Sequence, residues 1–271
     1  MRFKPGFRAT AAAPLDSLCF GFQAGRILVK QQGEGLAVPT MADLQGLGLP
    51  AAWVHHFGEW DGCACCAVAL PPDLPVQDGF AWKGLRGLFG LIEEELVWAA
   101  GRAGQLVHWH CLHRYCGACG RPTADHPGER AKICPGCGGV NHPRVSPAVI
   151  VAVIRDRRLL LAHSPRFPSK FYSVIAGFVE PGENLEECVR REVLEEVGIR
   201  VRDIRYFGSQ PWPFPDSLMV AFTAQWAAGE IRIDSAEIAD AGWFPAEALP
   251  QIPPPISIAR RLIDWFVAGA A

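Results

Sequence analysis

The chain has 271 residues, of which 49% are hydrophobic and 20% charged, with a net charge of −2. That composition excludes wholesale disorder and leaves room for one large domain or two modest ones. The charge balance gives no reason to expect general attraction to DNA, RNA or a membrane, a local basic patch aside. No run of roughly 18 apolar residues occurs, and the opening M-R-F-K-P-G-F-R has no apolar stretch behind it. Neither a membrane span nor a secretory signal is therefore expected. Ten cysteines, four of them in paired C-x-x-C spacing, suit a reducing compartment and a metal better than a disulfide framework. The cytoplasm is the expected location.

Residues 1–105 read as a mixed α/β domain. Phe20–Phe22, Arg26–Lys30, Trp53–Phe57 and Cys65–Leu70 have the composition of short strands, and Leu85–Ala100 has apolar residues at helical spacing. Cys63, Cys65 and Cys66 have no second cluster at ligand spacing and are expected to be plain thiols.

Residues 106–143 hold Cys116-Gly-Ala-Cys119 and, after 14 residues, Cys134-Pro-Gly-Cys137. Each pair is followed by glycine, so each can form a tight knuckle. The spacing fits a four-cysteine zinc ribbon, because soft thiolates select Zn²⁺ over hard cations; two free dithiol pairs are the alternative. Four thiolates leave no open position for water, so this zinc is expected to be structural. His108, His110, Cys111 and His113 are then packing or surface groups. Arg114, Arg121, Arg130, Lys132 and Arg144 raise a competing reading, a nucleic-acid-binding module. Tyr115 is the single aromatic interleaved with them, a weak footprint.

Residues 144–271 change texture. Val149–Ile154 and Leu159–Ala162 flank the charged turn Arg155–Arg158 as in a hairpin. Further strands are expected at Phe171–Phe178, Val201–Gly208, Leu218–Trp226 and Trp243–Phe244, and a closing helix at Arg260–Val267. In Ser209-Gln-Pro-Trp-Pro-Phe-Pro-Asp-Ser217 the alternate prolines predict a stiff, unpaired loop presenting Trp212 and Phe214, either to a planar base or into the core.

Between these strands a helix is expected to open at Asn184, a good N-cap, and to close at Gly198. Leu185, Val189, Val193 and Val197 form its apolar stripe. Glu192, Glu195 and Glu196 lie at i, i+3 and i+4, so three like charges crowd one patch. They suit either an ordinary solvated face or hard divalent cations, Mg²⁺ or Mn²⁺, that relieve the repulsion. Glu183 and Arg191 stand close by in the sequence.

The stretch Gly177–Ile199 matches G-x5-E-x7-R-E-U-x-E-E-x-G-U, with U a bulky aliphatic, at Gly177, Glu183, Arg191, Glu192, Val193, Glu195, Glu196, Gly198 and Ile199. It resembles the Nudix box, and nine constrained positions make the match specific. The resemblance implies an α/β/α sandwich around a mixed sheet, and hydrolysis of a nucleoside diphosphate linked to a second group. The cysteine quartet before the box and S-Q-P-W-P-F-P-x-S after it narrow the resemblance to the NADH pyrophosphatase subfamily, which also removes NAD caps from RNA. It covers about residues 105 to 268 well and the first hundred poorly.

The same resemblance implies a set of site residues. Ala176, Glu192, Glu195, Glu196 and Glu237 would hold Mg²⁺ or Mn²⁺, with Ala176 offering its carbonyl. Glu195 or Glu196 would be the general base, and Arg191 would orient the loop through Glu183. Gln210, Pro211, Trp212, Pro213, Phe214, Pro215, Asp216 and Ser217 match the substrate loop, with Phe178, Glu129, Ala259 and, across a gap, Arg86 as further substrate contacts. His142 stands where the subfamily has a tyrosine, and Asp216 where it has an amide. The implied reaction cleaves NAD(H) with water into nicotinamide mononucleotide and AMP, and the implied assembly is a homodimer. The alternatives are a Nudix enzyme for ADP-ribose or dinucleoside polyphosphates, and an RNA-binding protein with an inactive Nudix fold.

Overall fold

The structure, a computed structural model, describes residues 2–7, 13–49, 53–166 and 171–269. The chain divides into two compact units, Met1–Arg144 and Val145–Ala271.

In the first unit the elements are β1 (Phe3–Pro5), β2 (Leu18–Gln23), β3 (Arg26–Gln32), β4 (Gly35–Ala37), α1 (Met41–Gly46), β5 (Trp53–Trp60), β6 (Cys63–Ala69), β7 (Phe80–Gly84) and α2 (Glu94–Leu112). The strands form one mixed sheet in the order β1-β5-β6-β2-β3-β4, with β7 also paired to β3. Cys19, Leu28, Cys66 and Val68 meet Met41 and Leu44 of α1 on one side. Along α2, Gly104 lets the helix approach, because a Cβ there would press on the Phe22 ring at 3.0 Å. The helix expected at Leu85–Ala100 is corrected: a 3-10 turn covers Leu85–Leu88, and α2 begins at Glu94 and runs through the histidine-rich segment to Leu112. Gly90, at φ 80°, is the break between them, a conformation that a helix interior cannot contain. Cys65 and Cys66 are buried strand thiols. The short strands β8 (Ala124–Asp125), β9 (Lys132–Ile133) and β10 (Val140–Asn141) make a separate three-stranded sheet around the cysteine quartet.

In the second unit follow β11 (Ser146–Arg155), β12 (Arg158–His163), β13 (Ile175–Phe178), α3 (Leu185–Val197), β14 (Arg200–Trp212), β15 (Ser217–Ala228), β16 (Asp240–Pro245) and α4 (Ile258–Val267). The sheet runs β14-β15-β11-β12-β16, with β13 on the first half of β11. Its central pair, β11 and β15, is parallel. Strand periodicity sorts the core into two layers. Val149, Val151 and Val153 of β11 face Val189, Val193 and Val197 of α3. Ile150, Ala152 and Ile154 face Ile258, Leu262, Ile263 and Phe266 of α4. The α/β/α sandwich is thus written in alternate residues of one strand.

Two local expectations are corrected here. Of Phe171–Phe178, Ile175–Phe178 is a strand, and Ser173 adds an isolated bridge to Ala162. Tyr172 N–H turns away instead to the Gln251 carbonyl. The proline stretch is not an unpaired loop: Gln210, Pro211 and Trp212 pair with Met219, Leu218 and Ser217 as the closing end of a hairpin. Prolines survive there because β14 is an edge strand, where a missing N–H costs no ladder bond on the open side.

Candidate active site and zinc site

The glutamate helix is fixed at both ends by local chemistry. Asn184 Oδ1 accepts from Glu187 N–H, and Glu187 Oε2 accepts from Asn184 N–H, each at 2.9 Å, a reciprocal capping box. Gly198 closes the helix at φ 71°, in the left-handed region.

Arg191 ties the loop before the helix to the helix itself. Its Nε and one terminal nitrogen donate to the two Glu183 oxygens at 2.7 and 2.9 Å. The same terminal nitrogen donates to the Phe178 carbonyl at 2.9 Å, and the other to Glu192 at 2.8 Å and Glu195 at 3.0 Å. This bidentate fork holds the Glu183 carboxyl down at about 2, first through its hydrogen bonds with Arg191. Glu183 in turn accepts from Glu180 N–H, so the loop is gathered under one guanidinium.

Glu192 and Glu196 are each 8% exposed, whereas the Glu195 side chain is 60% exposed. Burial is the main force raising the Glu192 carboxyl above its usual range. Burial first, then the charges of Glu192 and Glu237, push Glu196 up to about 8, with Arg166 opposing. A Cβ on Gly177 would lie 1.9 Å from the Glu192 carboxyl carbon, so glycine is the one residue that lets β13 run beside this side chain. Glu237 arrives from a loop that hydrogen-bonds back to α3: Arg232 N–H donates to Val197 O and Asp234 N–H to Glu196 O. Buried Ile238 anchors that loop. A lone arginine in a loop carries no sequence signal, and Arg166, 3.6 Å from Glu237, had none.

The carboxylate oxygens share a field without being tightly gathered. Among the described residues, the cysteine quartet is the one group of three or more His, Cys, Asp or Glu with ligand atoms all within 4.8 Å of one another. The donor set at α3 still fits a hard divalent cation: the buried Glu192 and Glu196, which repel each other and Glu237, with the Ala176 backbone on the adjacent strand.

At the far end of β14, Trp212 and Phe214 pack edge to face with centroids 5.1 Å apart. Asp216 O accepts from Ser146 N–H, and Ser217 is buried. Phe178 is 59% exposed beside the box loop. Ala259, by contrast, is 6% exposed and belongs largely to the α4 core. Gln210 commits its amide to the backbone of residues 256 and 258, a role no sequence pattern indicated.

In the first unit the four thiolates form two matching knuckles. Gly120 N–H donates to Cys116 O and Gly138 N–H to Cys134 O, each at 2.9 Å, with Gly120 at φ 72° and Gly138 at φ 73°. The Sγ atoms of Cys116 and Cys137 are 3.6 Å apart, and those of Cys119 and Cys134 3.4 Å. These separations are too long for disulfides and close to the ~3.8 Å edge of a tetrahedron with Zn–S near 2.3 Å. Backbone N–H groups, that of Cys137 first, hold the Cys134 thiol down at about 6. The quartet fits Zn²⁺ with no open position.

His142 Nε2 lies 3.3 Å from Glu129, so those two ribbon residues meet each other. Arg86 is exposed in the 3-10 turn. His113 Nδ1 bonds the Trp109 carbonyl and His110 stacks on Trp53, so neither histidine is a ligand. Two of the five basic ribbon residues turn inward: Lys132, 4% exposed, to Asp125, and Arg130 to His55 and the Gly6 carbonyl. This thins the footprint on which a nucleic-acid module would depend.

The capped glutamate helix on a mixed sheet, knotted by Arg191, is a Nudix domain, and the cysteine module is a zinc ribbon. Family comparison agrees, matching residues 144–266 to the NUDIX domain, 112–139 to the NADH pyrophosphatase zinc ribbon domain, and 16–109 to the NADH pyrophosphatase-like rudimentary NUDIX domain. Relatives named NAD-capped RNA hydrolase NudC occur in Chromobacterium violaceum, 52% identical over 77% of this chain and 78% of the relative, and in Pseudomonas fluorescens, 48% identical over 83% and 81%. A third, in Deinococcus radiodurans, is 42% identical over 95% and 89%. A NUDIX hydrolase structure from Nitrosomonas europaea superposes with a TM-score of 0.50 at 22% identity, covering 56% of this chain and 90% of that one, which supports the fold alone. The chain belongs to the Nudix hydrolases, in the group that carries the NADH pyrophosphatase zinc ribbon. Enzymes of this family work with a divalent metal such as Mg²⁺ or Mn²⁺, and the ribbon takes zinc. Among the described residues no helix is long and apolar enough to cross a membrane.

Proposed function

We propose that the protein hydrolyses the pyrophosphate of NAD(H) to nicotinamide mononucleotide and AMP, and acts likewise on the NAD cap of RNA 5′ ends. The observation that carries this reading is the Arg191-held carboxylate site, in a NUDIX domain preceded by two segments that match NADH pyrophosphatase models. The names of the relatives favour the capped-RNA activity.

In this reading Glu192, Glu195, Glu196 and Glu237, with the Ala176 carbonyl, hold Mg²⁺ or Mn²⁺. Such ions supply charge neutralisation of the pyrophosphate and a bound water of lowered pKa. Glu195 or Glu196 would serve as the general base that takes a proton from the attacking water. Arg191 and Glu183 keep the loop and the Glu192 carboxylate in place, and Gly177 gives that carboxylate its room. Trp212, Phe214 and Phe178 offer aromatic faces to the bases, with Pro211, Pro213, Pro215, Asp216 and Ser217 shaping the hairpin end. Glu129, His142, Arg86 and Ala259 are further proposed substrate contacts. Cys116, Cys119, Cys134 and Cys137 hold the structural zinc. The division into residues 1–105, 106–143 and 144–271, a homodimeric state and a cytoplasmic location belong to the same proposal.

The test is hydrolysis of NADH, NAD⁺, ADP-ribose and an NAD-capped RNA with Mg²⁺ or Mn²⁺, comparing wild type with Glu196→Gln. Release of nicotinamide mononucleotide by wild type and its loss in the variant support the proposal. Turnover of ADP-ribose alone moves the enzyme to another Nudix specificity, and no turnover with either metal defeats the reading.

A further inference from the structure

The Gln210 side chain is used at both ends by the main chain of one short segment. Its Nε2 donates to the Ile256 carbonyl at 2.9 Å, and its Oε1 accepts from Ile258 N–H at 2.7 Å. Ile258 is the first residue of α4, so its N–H is one of the donors that a helix start leaves without an intrahelical partner. Ser257, the N-cap, serves a different donor, Arg260 N–H at 3.3 Å. A residue from β14 therefore completes the cap that the helix's own sequence leaves partial. Two positions further along β14 stands Trp212, edge to face with Phe214.

That end of the hairpin is poor in backbone donors. Pro211, Pro213 and Pro215 have no N–H, and β14 has a neighbour on one side, β15. The strand pairing through Gln210, Pro211 and Trp212 fixes the hairpin within the sheet. The Gln210 amide fixes it toward α4, between the sheet and the segment that leads into Ala259. Both the oxygen and the nitrogen of the amide are engaged, which fixes its orientation and leaves one N–H and one lone pair uncommitted.

We infer that Gln210 is a positioning residue: it clamps the aromatic hairpin to the start of α4, so that Trp212 and Phe214 are preset before any dinucleotide arrives. The substrate's identity in this inference rests on the function proposed above; the clamp does not. Preorganisation of this kind lowers the ordering cost of binding and leaves the bond-breaking step alone.

The experiment compares wild type with Gln210→Met, which keeps the volume and removes both bonds, and Gln210→Glu, which keeps an acceptor for Ile258 N–H. Hydrogen exchange of residues 256–260 is measured first, in the protein without substrate. Gln210→Met is expected to speed Ile258 exchange about tenfold, the loss of roughly one hydrogen bond, and Gln210→Glu to preserve most of the protection. With NADH, KM is expected to rise about tenfold in Gln210→Met with kcat within about twofold, and Gln210→Glu to fall between. Unchanged exchange alongside a raised KM would mean that Gln210 touches substrate directly and would overturn the clamp. A fall in kcat at constant KM would overturn it too. If the wild type does not hydrolyse NADH, the functional reading fails, while the exchange data still decide the clamp.

Discussion

Acidification from pH 7 to pH 4 is expected to strip stability from the N-terminal unit through His55. The His55 ring stacks on Trp53 with centroids 5.1 Å apart, and His110 lies on the same indole at 4.3 Å. Arg130 Nε donates to His55 Nε2 at 3.1 Å, which requires that nitrogen to keep its lone pair. Burial first, then the charge of Arg130, brings His55 down to about 4 from its ordinary 6.5. Between those values the unfolded chain binds a proton that the folded one refuses, so stability is full above about pH 6.5 and falls as the pH drops toward 4. A gap of about 2.5 pH units, at 1.36 kcal/mol each, amounts to roughly 3 kcal/mol. His110, also brought down to about 4 mainly by burial, adds a smaller share because it is less enclosed and solvent screens it. The assay is native-state hydrogen exchange of β5 and β6 at pH 7, 6, 5 and 4, in wild type and His55→Gln. The glutamine still accepts from Arg130 and does not titrate. The wild-type curve should lose about 3 kcal/mol more than the variant's across that range; parallel curves would refute the account.

Gly177→Ala forces a methyl group into the Glu192 carboxyl and should lower kcat about 100-fold, with circular dichroism and zinc content unchanged; near-normal turnover would count against a fixed Glu192. Arg191→Lys keeps the charge but loses the fork to Glu183, so activity should drop at least about tenfold and salt should not restore it. Metal analysis of the purified protein should give about one zinc per chain, and Cys134→Ser should lose that zinc and destabilise the ribbon. Arg166→Ala removes a cation 3.6 Å from Glu237, so Mn²⁺ titrated into the enzyme without substrate should bind more tightly, by up to about tenfold.

Much of the glutamate helix α3 was legible in sequence because its determinants are local. Asn184 caps, Gly198 terminates, and an apolar residue every fourth position sets the buried face, all within 15 residues of chain. The zinc quartet was legible for a similar reason: each knuckle is a turn whose geometry its own C-x-x-C-Gly residues specify. The alternation of β11, which places α3 and α4 on opposite faces, is likewise a period of two written in one strand. The sequence by itself thus determined the elements whose hydrogen bonds and apolar faces close over a few residues. Tertiary structure decided what depends on partners far along the chain. The proline stretch became a paired hairpin because β14 lies at a sheet edge, a fact about neighbours that the prolines do not encode. Glu237 reaches the α3 patch because its loop bonds back to Val197 and Glu196, 40 and 41 positions before it. Gln210 caps a helix 48 positions away. Burial of Glu192 and Glu196, and with it their raised affinity for protons, required the whole sandwich to form, since removing water from a carboxylate takes surfaces brought from every strand around it.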